Sequence, residues 1–121
     1  MINSQEYKIL NDVNEIDVNQ WDDLVKHSNV ATWFQTKIAY LFYESLPQIM
    51  IPFVYALQVE GMLKGIVVGY ITKESNAIKQ LMTRRAIVVG GPLLANDITN
   101  QEVELLMSAT RKSLKGKAIY I

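Results

Sequence analysis

Ile51-Pro52-Phe53-Val54-Tyr55-Ala56-Leu57-Gln58-Val59-Glu60-Gly61-Met62-Leu63-Lys64-Gly65-Ile66-Val67-Val68-Gly69-Tyr70-Ile71-Thr72 is the stretch that decides the fold class. Ile51, Phe53, Tyr55, Leu57 and Val59 alternate onto one face, as an extended chain requires. Glu60-Gly61 has the form of a two-residue turn, and Leu63 to Thr72 returns as a second strand, which predicts a β-hairpin. Both faces are largely apolar, so the hairpin is expected to be covered on two sides. Gly65 and Gly69 share a face. A glycine inside a strand marks a bulge or a close approach, either by a packed helix or by a ligand.

Working outward toward the N-terminus, Glu6 to Leu10 reads as a short strand. Asp17 or Asn19 then caps a helix whose first turn is expected to hold Asp22 and Asp23. Trp21, Leu24, Val25 and Ser28 give it a narrow apolar stripe. Trp33 and Phe34 lie in a connection, and Thr36 caps a second helix that is expected to bury Ile38, Leu41 and Phe42 before Pro47 stops it.

Toward the C-terminus, Lys73 to Arg85 is a polar connection with four bases and one acid. Ala86 to Val89 reads as a short buried strand ending in Gly90-Gly91-Pro92. Thr99 and Glu102 fit a capping box for a third helix, with Val103, Leu106, Met107, Thr110 and Leu114 as its buried stripe and Gly116 as its end. Ala118 to Ile121 is a last strand. The resulting order is β-α-α-β-β-β-α-β, an α/β fold with a mixed sheet, in which the final β-α-β unit supplies a parallel pair. A chain that stops on the apolar strand Ala118-Ile119-Tyr120-Ile121 is expected to continue in the native protein, so residues 1–121 are read as one N-terminal domain or fragment.

The bulk composition narrows the function classes. The 121 residues suit one domain, and half of them are apolar, enough to bury a core. Twelve basic residues balance twelve acidic ones, so the surface carries no general attraction for nucleic acid or anionic lipid. The acids gather at the N-terminal end (Glu6, Asp12, Glu15, Asp17, Asp22, Asp23), and Arg111, Lys112, Lys115 and Lys117 form a basic end to the third helix, the arrangement helix polarity favours. With no cysteine and one histidine there is neither a disulfide framework nor a zinc ligand set, so no metal is expected. The longest uncharged run, Ser45 to Val59, is too short and too polar for a membrane span. The N-terminus has no secretory-signal pattern, which points to a cytoplasmic setting.

Chemistry-bearing motifs are few. No phosphate-binding glycine loop, dinucleotide fingerprint, paired-histidine zinc motif or nucleophile elbow is present. His27, alone after an acid-rich helix, reads as a helix-end or surface residue before a general base. Asp22 and Asp23 are adjacent, so they point apart on a helix and do not form an acid/base pair. Trp33, Phe34, Tyr40 and Tyr43 fit a core better than a base-stacking platform. The one feature with a mechanism is Arg84-Arg85-Ala86-Ile87-Val88-Val89-Gly90-Gly91-Pro92. A strand ending in two glycines exposes backbone amides that can hold an anion or a developing oxyanion. The same residues also suit a tight turn with a proline-fixed exit and no chemical role.

The run Arg85 to Leu93, the acid Asp97, the third helix and the strand Ala118 to Ile121 together resemble the FemAB-like peptidoglycan bridge-forming aminoacyltransferases. The opening Trp21-Asp22-Asp23-Leu24-Val25 and Thr32-Trp33-Phe34-Gln35-Thr36 is similar to theirs as well. The resemblance implies a partial GNAT-like fold, of which the family carries two copies, with this chain holding most of the first. It implies amide formation from an aminoacyl-tRNA or acyl-CoA donor onto an amine of a cell-wall precursor or related acceptor, with the second GNAT-like half of the chain as partner. Within residues 1–121 no cofactor is expected, and the fragment alone is expected to be inactive. The coenzyme A signature [Q/R]-x-x-G-x-[G/A] is absent, and only Gly90, Gly91 and Pro92 carry over, as a turn near donor or substrate. The alternative is a non-catalytic α/β interaction module that completes its sheet with a partner chain, or with a second copy through the final strand.

Overall fold

The computed structural model describes residues 6–28, 31–72, 86–88 and 91–115. Its centre is the expected hairpin, β2 (Met50–Val59) and β3 (Met62–Thr72), paired antiparallel from Met50↔Thr72 to Val59↔Met62. Glu60 (φ 52°) and Gly61 (φ 80°) both take left-handed backbone, the requirement of a two-residue turn whose twist matches that of the strands. A short β1 (Tyr7–Leu10) pairs with β2 over Ala56–Val59. Pro52 lies on the part of β2 that β1 does not reach, where a missing N–H leaves no ladder bond unmade on that side.

Every described strand pairing is antiparallel. The parallel pair expected from Ala118–Ile121, and the helix end expected at Gly116, lie outside the described residues, as does the polar connection Lys73–Arg85. A correction concerns the strand expected over Ala86–Val89. It is described only over Ala86–Ile87 (β4), with Val89 outside the described residues, and a strand that was not expected, β5 (Leu93–Leu94), follows; both pair with β3 on the edge away from β2. The described order is therefore β-α-α-β-β-β-β-α, and a sheet of five strands.

Helices cover both faces. Val54, Ala56, Ile66 and Val68 pack on one side with Trp21 of α1 (Val18–His27) and with Ala39 and Tyr43 of α2 (Lys37–Glu44). Phe53, Tyr55, Leu57, Val59, Val67 and Ile71 pack on the other with Leu106 and Leu114 of α3 (Asn100–Leu114). Two apolar faces on one hairpin thus become two cores, each large buried side chain contributing about 1.5–3 kcal/mol of transfer free energy. A Cβ built on Gly65 would stand 2.8 Å from Leu106 Cδ2 and 3.1 Å from Leu94 Cδ2, so close helix packing explains that glycine. At Gly69 it would meet the Ile87 carbonyl and stand 2.6 Å from Phe53 Cζ, so there the intruders are a neighbouring strand's backbone and a cross-strand ring.

The helix ends follow local chemistry. The Asp17 carboxylate accepts from Asn19 N at 2.8 Å and Gln20 N at 3.3 Å. Because the helix then starts at Val18, Asp22 and Asp23 fall in its second turn; the expectation of first-turn acids was one turn early. Thr36 accepts from Ala39 N, and Thr99 with Glu102 forms the expected reciprocal box, at 3.1 and 3.0 Å.

A second correction concerns α2. It buries Ala39 and Tyr43, while Ile38, Leu41 and Phe42 are exposed at 66%, 45% and 47%. Both sets have helical spacing, so periodicity alone does not choose between them. The small Ala39 lets the helix axis approach β2, and Phe42 instead packs edge-on against Trp33, itself edge-on to Phe34. Trp33 and Phe34, expected in a core, are therefore exposed, whereas Tyr43 is buried and Tyr40 half-buried. No described helix is long and apolar enough to cross a membrane.

Candidate functional site

Gly91 and Pro92 of the Gly-Gly-Pro segment lie between two short paired stretches of the sheet edge. Pairing with β3 stops at Tyr70↔Ile87 and resumes at Ile66↔Leu93. Three β3 residues, 67–69, lie between these pairs, against five of the other chain, 88–92. The numbers differ by two, so the pairing register along β3 changes between β4 and β5, an irregularity of the kind that recurs next to active sites. Gly90 is outside the described residues. Gly91 has φ 77°, and a Cβ there would meet nothing within 4 Å, so its backbone conformation and not its surroundings calls for glycine. Pro92 follows, half-buried, and leads into β5.

What holds this segment is Gln35, a buried polar side chain that the apolar pattern gives no reason to single out. Its Nε2 donates to the Gly91 carbonyl oxygen at 3.0 Å, and its Oε1 accepts from Thr32 N at 2.7 Å. Its backbone oxygen accepts from the indole Nε1 of the fully buried Trp21 at 2.8 Å. One residue therefore connects α1, the turn before α2 and the interrupted edge. No apolar pattern flags Gln35, since its neighbours Phe34 and Thr36 are exposed and half-buried.

A second irregularity lies at the hairpin tip. Gln58 opposes Leu63 while Leu57 opposes Gly65, so Lys64 is an extra residue in β3. This bulge is of the kind an isolated strand glycine can mark, next to Gly65. Gln20 of α1 clamps it: Oε1 accepts from Leu63 N at 2.6 Å, and Nε2 donates to Gly61 O at 3.2 Å. Lys64 Nζ reaches Asp97 Oδ2 at 2.8 Å, and the Lys64 carbonyl accepts from Ala95 N. The hydrogen bond from Lys64 Nζ and the charge of its ammonium hold the Asp97 carboxyl below its ordinary range.

His27 ends α1 with its Nδ1 2.8 Å from the Asp23 carbonyl oxygen, and it is exposed, in keeping with a helix-end residue. Asp22 and Asp23 are exposed and do not act on each other. Arg84 and Arg85 lie outside the described residues. No group of three metal-ligating side chains occurs among the described residues. Comparison with family models, with curated proteins and with solved structures finds no match to this chain.

Proposed function

We propose that this chain is the N-terminal GNAT-like unit of an acyl or aminoacyl transferase of the FemAB-like kind, acting on an amine of a cell-wall precursor or a related acceptor. The observation that supports it is the interrupted edge beside β3, tied at Gly91 to Gln35 and followed by a capped helix. An edge strand that leaves its ladder frees backbone groups from pairing, and such groups can receive a donor carbonyl. The reaction needs little more from the protein than placement. A neutral amine attacks the ester or thioester carbonyl, the new C–N bond forms, and the C–O or C–S bond to the carrier breaks. The amine's proton leaves with the carrier's oxygen or sulfur. Positioning and stabilisation of the oxyanion carry most of such a rate. The turn Gly90-Gly91-Pro92 is the donor- or substrate-proximal element, and the second half of the polypeptide completes the site.

The test is transfer by the intact polypeptide from a labelled aminoacyl-tRNA, and separately from acyl-CoA, to a panel of amines that includes a peptidoglycan precursor. Labelled amide supports the reading, and no amide from either donor with any acceptor overturns it.

One observation favours a non-catalytic interaction module instead. Trp33, Phe34, Ile38, Leu41 and Phe42 leave an apolar, aromatic-rich face on and beside α2, of the kind used for protein contacts. Sedimentation at high concentration separates the readings: self-association blocked by Phe42→Ser, together with no transfer activity, favours the module.

A further inference from the structure

Between the last turns of α1, the hairpin tip and the turn after β5 is a cleft of about 250 Å³. It is slightly smaller than sites for drug-sized molecules, about 300 Å³ and upward, and so suits a compound of amino-acid size or less. Leu24, Met62, Leu63 and Leu94 give it an apolar floor. The bulge at Lys64 shapes it: Leu63 packs in the core on the α1 side, and both it and Lys64 line the cleft.

Its polar groups divide into spent and unspent. Both ends of the Gln20 amide are used on the hairpin. Lys64 and Asp97 are used on each other. Asp23, His27 and Asn96 also line the cleft, and their side chains have no protein partner among the described residues apart from one at His27 Nδ1. That partner, the Asp23 carbonyl, can only accept, so Nδ1 donates to it, and whenever the ring is neutral Nε2 is an acceptor. What remains is an uncompensated carboxylate, an imidazole acceptor and an amide, beside the negative end of the α1 dipole. Among the described residues no group of three carboxylate, imidazole or thiol side chains gathers here as the protein ligand set of a zinc site.

We infer that this cleft binds a small organic ammonium group on a short aliphatic chain, its N–H donors shared between the Asp23 carboxylate and His27 Nε2 and its carbons lying on Leu24, Met62 and Leu63. The site is separate from the Gly91 turn and does not rest on the transferase reading.

The test is a titration of the intact polypeptide with n-propylammonium, followed by NMR of the His27 ring and the Leu63 and Asn96 amides, with n-propanol and propionate as matched probes. Saturable shifts confined to these positions, seen with the ammonium and at least about ten-fold weaker with the other two, are expected. Asp23→Asn and His27→Phe, each on an exposed position, should each weaken binding about ten-fold while leaving the thermal transition in place; a ten-fold change is the loss of one charge-assisted hydrogen bond. Shifts of equal size with n-propanol, no saturable shift, or unchanged binding in Asp23→Asn overturns the inference. None of these readouts depends on transfer activity, so their failure is distinct from failure of the proposed function.

Discussion

The side-chain amide of Gln35 holds the carbonyl of Gly91 at 3.0 Å, joining the entry of α2 to the sheet edge across 56 residues of chain. Gln35 is 1% exposed, so its amide has no water as a substitute, while the Gly91 end is half-buried. Removing one partner of a buried pair costs more than the bond itself contributes, because the group left behind is desolvated and unpaired. Gln35→Leu removes the partner of the half-buried Gly91 carbonyl and of the N–H of the exposed Thr32, which water replaces in part, so a loss of about 1–3 kcal/mol is expected in urea unfolding. A loss below about 1 kcal/mol would mean that the edge is held by other contacts.

Two glycines of β3 separate on whether the obstacle can yield. At Gly65 an added methyl group meets the ends of the Leu106 and Leu94 side chains. These can shift, so Gly65→Ala should cost about 1–3 kcal/mol. At Gly69 it meets the Ile87 carbonyl and the Phe53 ring, and β4 must move or detach. Gly69→Ala should therefore cost more than Gly65→Ala and should speed amide hydrogen exchange at Ile87. The reverse order of stability would contradict the strand placement.

Tyr43 is buried, and its hydroxyl has no hydrogen-bond partner among the described residues. Such a group costs about 1–3 kcal/mol, so Tyr43→Phe should be neutral or stabilising by about 1 kcal/mol in urea unfolding. Burial, with a smaller contribution from Tyr70, raises the Tyr43 phenol above its ordinary 10.0. The folded state then keeps its proton where the unfolded chain loses it. The associated stability is complete below pH 10.0 and is lost as pH rises through the higher folded value. The Phe variant should show a shallower fall in stability above that pH. A loss of stability at neutral pH would instead mean that the hydroxyl is paired.

Asp97 gives the opposite sign. The hydrogen bond and charge of Lys64 lower its carboxyl from the ordinary 3.8. The contribution is present above that value and disappears as pH falls through the lower folded one. Asp97→Asn should be slightly less stable than the parent at neutral pH, with the gap closing in acid and narrowing with salt, since the carboxylate is exposed. A gap that does not depend on pH would assign the loss to the turn and not to the ion pair.

The parts legible in the sequence were those set by strict local rules. The alternation of Phe53 to Val59, the Glu60-Gly61 turn, and the caps at Thr36 and Thr99 each depend on neighbours within a few residues. What periodicity could not supply was the rotation of α2, because Ile38, Leu41 and Phe42 satisfy helical spacing as well as Ala39 and Tyr43 do. The split of β4 from β5 depends on the register against β3, and the cleft depends on one extra residue at Lys64 meeting Gln20 from a distant helix. Gly91 was legible as a turn glycine; its hold by Gln35 was not, since a buried glutamine has no pattern of its own.

Single-turnover transfer with the intact polypeptide, comparing the parent with Gln35→Leu at a temperature where both are folded, decides whether the edge at Gly91 serves the reaction. A labelled aminoacyl-tRNA or acyl-CoA donor and an amine-bearing cell-wall precursor are the reactants. Labelled amide from the parent, formed about ten-fold or more slowly by the variant, is the expected result, since misplacing a positioning element costs rate before it costs binding. No amide from the parent with either donor would mean that the chain is not part of such a transferase. Equal rates for the two proteins would mean that the edge at Gly91 has no part in transfer.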